Sequence, residues 1–159
     1  RIELCDNLAV GGTTPSYGVT KAAVELASNY DTTIMTMIRP RGGNFVYNDL
    51  EISIMLEDIR LTAQAGSQGV VFGALTADNK LDKANLEKLI DASKGMEIVF
   101  HMAFDDLSDQ DKHHSVSQQE LDTLTLTTVI LIWQKQLNFQ LLLNAILKHL
   151  KHQHLVIGT

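Results

Sequence analysis

Apolar residues along the chain follow two different periods. Short runs rich in β-branched residues and methionine, at 2–5, 32–38, 69–75 and 97–104, read as strands, because such runs bounded by turn residues suit a pleated, buried surface. Between them apolar residues recur every three or four positions, the helical period. Ser16 precedes one such stretch, which reaches about residue 28. Asn48 or Asp49 precedes a second, where Leu50, Ile54, Leu56, Ile59 and Leu61 fall roughly on one face and Gly66 marks the end. Asp82 opens a third, with Leu86, Leu89 and Ile90 turned inward, closing near Gly95. Ser, Asn and Asp accept hydrogen bonds from the first turn of a helix, and glycine takes the left-handed residue that ends one.

The rhythm weakens further on. Helices are expected at 111–124 and 137–152, the latter with Leu141, Leu142, Ala145 and Leu150 among its apolar positions, and strands at 127–133 and 155–157. This makes about six strands and five helices, an α/β chain of parallel βα units. Such units build either an open doubly wound sheet or a (β/α)8 barrel. A barrel takes about 250 residues and rarely fewer than about 200. The 159 residues therefore predict one domain over 1–159 and, if a TIM-type barrel, an incomplete, truncated one. Either architecture places function in the loops at the C-terminal ends of strands. The loops after Cys5, Ile38, Leu75 and Phe104 are the ones to search.

Composition divides the chain. Nine of the ten glycines lie between Gly11 and Gly95, and 96–157 contains neither glycine nor proline. The first part is an ordinary α/β sequence; the second is rich in Leu, Thr, Gln and His. A net charge of -6 argues against a nucleic-acid partner, which would need clustered Lys and Arg. No apolar run reaches the roughly 18 residues that span a bilayer, so no membrane partner is expected. One cysteine excludes an internal disulfide and fits a reducing compartment such as the cytoplasm.

Three loops carry candidate chemistry. Ahead of the first helix, Gly11-Gly12-Thr13-Thr14 can present backbone N–H groups to an anion, or be a tight loop that needs glycine. Arg39-Pro40-Arg41-Gly42-Gly43 offers two guanidinium groups as a carboxylate or phosphate clamp, or as a salt-bridge network at a rim. In 98–105, His101 and Asp105 would share one side of an extended strand and act as an acid/base pair, the alternative being a satisfied core histidine. Glu3 and Cys5 also share a face. With His101 across from them, Cys5 would complete a soft-metal site of the kind Cu(I) prefers, unless Cys5 is simply a small buried hydrophobe. His113, His114, His149, His152 and His154 read as solvated surface residues, with no Glu or Cys at a zinc spacing.

Taken together, these loops resemble the CutC family of copper homeostasis proteins. The segments are RIELCDNLAVGGTTPSYG (1–18), MIRPRGGNFVY (37–47), GVVFGALT (69–76) and FHMAFD (100–105). The resemblance covers 1–114; 115–159 departs from the family pattern, and Met102 stands where many relatives have arginine. It implies a cytosolic (β/α)8 barrel that forms oligomers and handles copper. By motif match, Glu3, Cys5, Arg39, His101 and Asp105 would lie around the barrel mouth. The leading expectation is copper handling with Cu(I) bound at Cys5 and His101. The alternatives are an enzyme on a small anionic substrate, with Arg39, Arg41, Gly11 and Gly12 binding it and His101, Asp105 and Glu3 catalytic, or an inactive fragment. Exposed edges at 1–5 and 155–157 would favour a homo-oligomer or coverage by the 137–152 helix.

Overall fold

The computed structural model describes residues 1–108, and the expectations for 111–124, 127–133, 137–152, 155–157 and the five later histidines lie outside them. By internal contacts the chain falls into two units, Arg1–Val129 and Ile130–Thr159, and the described residues belong to the first.

Four strands, β1 (Ile2–Leu4), β2 (Ile34–Met37), β3 (Gly69–Phe72) and β4 (Glu97–Phe100), alternate with α1 (Tyr17–Ala27), α2 (Asp49–Ala65) and α3 (Lys83–Ala92). The strands are all parallel and stand side by side in chain order. A doubly wound sheet reverses its order at a switch point, whereas a barrel wall does not. This arrangement is therefore a βα barrel arc, as expected.

The helix ends follow their capping residues. The Ser16 hydroxyl accepts the Val19 N–H, and Asp82 accepts that of Asn85. Asn48, rather than Asp49, caps α2 through a capping box: its Oδ1 accepts from Glu51 N at 3.0 Å while Glu51 accepts from Asn48 N at 2.9 Å. Gly66 closes α2 in the left-handed conformation.

One correction concerns the face of α2. Leu50 and Ile54 are 70% and 42% exposed, and the buried row is Ile52, Met55, Ile59 and Thr62. The helix carries apolar residues at more positions than one face holds, so the pattern alone leaves its rotation open. The strands are also shorter than expected. β4 stops at Phe100, and Met102–Phe104 forms a 3-10 turn capped by His101, whose ring accepts the Ala103 N–H. His101, Ala103 and Asp105 therefore do not line one strand face.

The sheet is buried on both faces. Leu4 and Ile34 pack on α1 with Ala23, Val24 and Ala27. Val70, Phe72, Ile98 and Phe100 pack with Ile52, Met55, Ile59, Leu86 and Leu89 from α2 and α3. Alternation sends Met35, Val71 and Val99 to the opposite face, where they form their own cluster. Glu3, beside Met35 in register, shares that inner face.

Candidate functional site at the C-terminal strand ends

The loop after β1 is pinched at its neck, where Asp6 and Thr13 exchange backbone hydrogen bonds of 3.0 and 2.8 Å. Inside the neck Gly11 and Gly12 adopt φ of 86° and 92°, which a side chain would strain. The N–H groups of Gly11, Gly12, Thr13 and Thr14 donate to the carbonyls of Leu8, Asn7, Asp6 and Arg39. The loop therefore turns carbonyl oxygens, not N–H groups, toward the mouth.

Arg39, just past β2 and 2% exposed, takes up those carbonyls. Its Nη1 donates to Val10 O and Gly12 O at 2.9 Å each, and its Nη2 donates to Gly43 O at 2.6 Å. The guanidinium thus staples the loop after β1 to the loop after β2, and its Cζ lies 4.8 Å from the centre of the Phe45 ring. Arg41 is engaged differently. It pairs with Glu51 and donates to the carbonyls of Gly42, Asn44 and Val46. It therefore ties its own loop to the first turn of α2.

His101 is 1% exposed at the end of β4. Its backbone N–H donates to Phe72 O. Because Nδ1 accepts from Ala103 N at 3.2 Å, the neutral ring carries its proton on Nε2, and Nε2 has no hydrogen-bond partner among the described residues. Burial, and then the charge of Arg39, push its pKa down to about 3. The ring packs 4.9 Å from Phe45, and a Cβ on Gly73 would lie 2.8 Å from it. Glycine at the end of β3 is what lets the imidazole lie there.

Glu3 and Cys5 approach from β1. One carboxyl oxygen of Glu3 is buried without a partner, and burial lifts its pKa to about 7. Burial, reinforced by the Glu3 and Asp6 carboxylates, pushes the Cys5 thiol up to about 11. A Cβ on Gly12 would meet Met37 Sδ at 2.7 Å and Cys5 Cβ at 3.4 Å, so the thiol and thioether side chains gather at this glycine. Gly11, next along, faces Arg39 and the Met102 thioether in the same way.

The mouth thus brings Cys5, Gly11, Gly12, Arg39 and His101 into one chain of neighbours. Glu3 lies deeper on the inner face, Arg41 at the rim, and Asp105 is exposed beyond the 3-10 turn. Phe45 and Tyr47 were missed by sequence reasoning. Their alternation within a Gly/Asn loop was the available signal, since both turn inward. Among the described residues no group of three or more His, Cys, Asp or Glu is arranged to hold a metal ion.

Comparison with known proteins adds the family. Residues 1–149 match the model of the CutC family. The chain belongs to the CutC family. The match reaches well past 114, where the sequence pattern alone places the end of the resemblance. CutC family proteins of Streptococcus pyogenes and Enterococcus faecalis are 53% and 50% identical over 118 and 116 residues, 74% and 73% of this chain and 56% of each relative. A Dictyostelium discoideum protein named copper homeostasis protein cutC homolog is 45% identical over 66% of this chain and 40% of its own length. The crystal structure of CutC from Streptococcus agalactiae superposes with a TM-score of 0.70 at 52% identity, covering 72% of this chain and 55% of that one. The chain spans about half the length of the bacterial relatives it matches. The parallel βα arc is thus part of the CutC barrel fold.

Proposed function

We propose that this CutC chain handles copper in the cytoplasm, taking Cu(I) as cargo at sulfur donors in the barrel mouth. The observation that carries the reading is the meeting of the Cys5 and Met37 side chains at Gly12. Cu(I) favours thiolate and thioether over harder donors. The donor set fits a soft ion, and binding displaces the thiol proton. His101 is the candidate third donor, through Nε2 once the proton there is displaced as the thiol proton is. Among the described residues no helix is long and apolar enough to cross a membrane. The acidic balance, at -6, disfavours nucleic acid. Self-association through sheet edges belongs to the same proposal. Anaerobic Cu(I) titration against a chromophoric chelator tests it. Cys5→Ser should weaken binding at least about 10-fold, since losing even an outer-shell partner of a ligand costs about that much, and unchanged affinity removes the mouth from copper handling. Light scattering at micromolar concentration tests the oligomer.

A second reading, an enzyme acting on a small anionic molecule, is favoured by a separate observation. Arg39 Nε and His101 Nε2 are buried donors without partners among the described residues. In this reading Glu3, poised near neutrality, exchanges the proton, and neutral His101 donates a hydrogen bond. Arg41 holds the loop that presents Arg39. Asp105 serves from the exposed end of the turn.

A further inference from the structure

A buried cation without a counter-ion is costly, and unpaired buried donors are rare. The mouth holds both. No carboxylate among the described residues lies within ion-pair distance of Arg39, which is 2% exposed. A guanidinium has five N–H groups. Three are engaged by the carbonyls of Val10, Gly12 and Gly43. That leaves Nε–H, buried and unpaired, and one N–H on Nη2. These are donors of the type that grip a planar carboxylate in parallel.

Two more polar groups belong to this neighbourhood. Phe45 lies against both partners: the Arg39 guanidinium is 4.8 Å from its ring centre and the His101 ring 4.9 Å. His101 offers Nε2–H, its other nitrogen being held by Ala103. The Tyr47 hydroxyl, buried without a partner in full hydrogen-bond geometry among the described residues, lies within reach of the Arg39 guanidinium, which acts on it by charge and as a hydrogen-bond donor. The unpaired groups of Arg39 and His101 are N–H donors, and a hydroxyl can donate. Such a set selects an oxyanion. His101 Nδ1 accepts the Ala103 N–H and so carries no proton, and Arg41, over the Tyr47 ring, is paired with Glu51; among the described residues Arg39 is the unpaired cation here, and one positive charge matches a monoanion better than a dianion.

We propose that the mouth binds the carboxylate of a small monocarboxylic acid, with Arg39 Nε–H, His101 Nε2–H and the Tyr47 hydroxyl as its donors. This rests on the anionic-substrate reading and narrows it to one ligand class.

The test is a titration of the 159-residue chain with propionate, followed by the Arg39 Nε–H and His101 Nε2–H proton–nitrogen signals, with inorganic phosphate and chloride in parallel. Saturable shifts of both signals with one dissociation constant for propionate, and weaker shifts with phosphate, are expected. His101→Asn keeps a side-chain acceptor for the Ala103 N–H while removing the Nε2 donor. It should bind propionate about 10- to 100-fold more weakly. Tyr47→Phe, which removes only an oxygen, should weaken it about 2- to 10-fold. The wild-type signals decide the matter even if a variant fails to fold. Tighter binding of phosphate at the same two signals overturns the carboxylate assignment and leaves the anionic reading standing. No saturable shift with either anion overturns both.

Discussion

Two buried groups on the inner face and mouth respond to pH in opposite directions, and their opposition is measurable. Burial raises Glu3 from 4.5 to about 7, and burial with the Arg39 charge lowers His101 from 6.5 to about 3. About 1.4 kcal/mol accompanies each tenfold change in proton affinity. Glu3 therefore contributes on the order of 3 kcal/mol that is fully present below pH 4.5 and lost as pH rises to 7, because the folded state binds its proton more tightly. His101 contributes on the order of 5 kcal/mol that is present above pH 6.5 and lost as pH falls toward 3, because only the unfolded ring charges easily. Between 4.5 and 6.5 the two slopes cancel. Below 4.5 the histidine acts alone, and stability from this pair falls by about 1.4 kcal/mol per pH unit. Urea unfolding from pH 4 to 8, with the dependence on denaturant checked for constancy, reads this directly. Glu3→Gln should raise stability at pH 8 and expose a slope beginning at 6.5. His101→Asn should show stability rising as pH falls from 7 to 4.5. A Glu3→Gln profile parallel to that of the parent and lower at pH 8 would refute the reasoning.

Three further outcomes are expected. Arg39→Met leaves three loop carbonyls without their donor and should cost about 3 kcal/mol in urea unfolding; a loss below about 1 kcal/mol would show that the staple is not what holds these loops. Gly95→Ala, at φ 88° in open space, should cost only the left-handed backbone penalty of about 1–2 kcal/mol, while Gly12→Ala, at φ 92° against Met37, should exceed it by about 1 kcal/mol or more; equal losses would deny the close approach. Asn48→Ala removes the capping box of α2 and should cost about 1 kcal/mol, with Asn48→Ser nearly neutral, both read from thermal midpoints.

The alternation of strands and helices was legible because two local signals agreed, β-branched runs for strands and Ser16, Asn48, Asp82 and Gly66 for helix ends. What failed depended on longer-range geometry. Met102, Ala103 and Phe104 continue an apolar pattern, yet the chain turns there because the His101 ring takes the Ala103 N–H. Leu50 and Ile54 suit a core chemically, but the packing of α2 against β3 and α3 selects the row through Ile52 and Met55. At the mouth, Arg39 was legible as a strand-end arginine. Its acceptors were not, because Val10 and Gly12 lie almost thirty residues earlier and act through backbone oxygens that no residue type reveals.

The mouth also separates the two functional readings. Gly11 and Gly12 are consecutive, both at positive φ, and their missing side chains face different neighbours: Arg39 and Met102 for one, Met37 and Cys5 for the other. The loop sets the Cys5 and Met37 side chains at Gly12 apart from Arg39 and the Met102 thioether at Gly11. The two sides favour different ligands, since a thiol protonated at neutral pH does not attract a carboxylate and a guanidinium repels a copper ion. Cys5→Ser should therefore leave propionate binding intact, and Tyr47→Phe should leave Cu(I) binding intact. Loss of both affinities in either variant would mean that the mouth is one site rather than two.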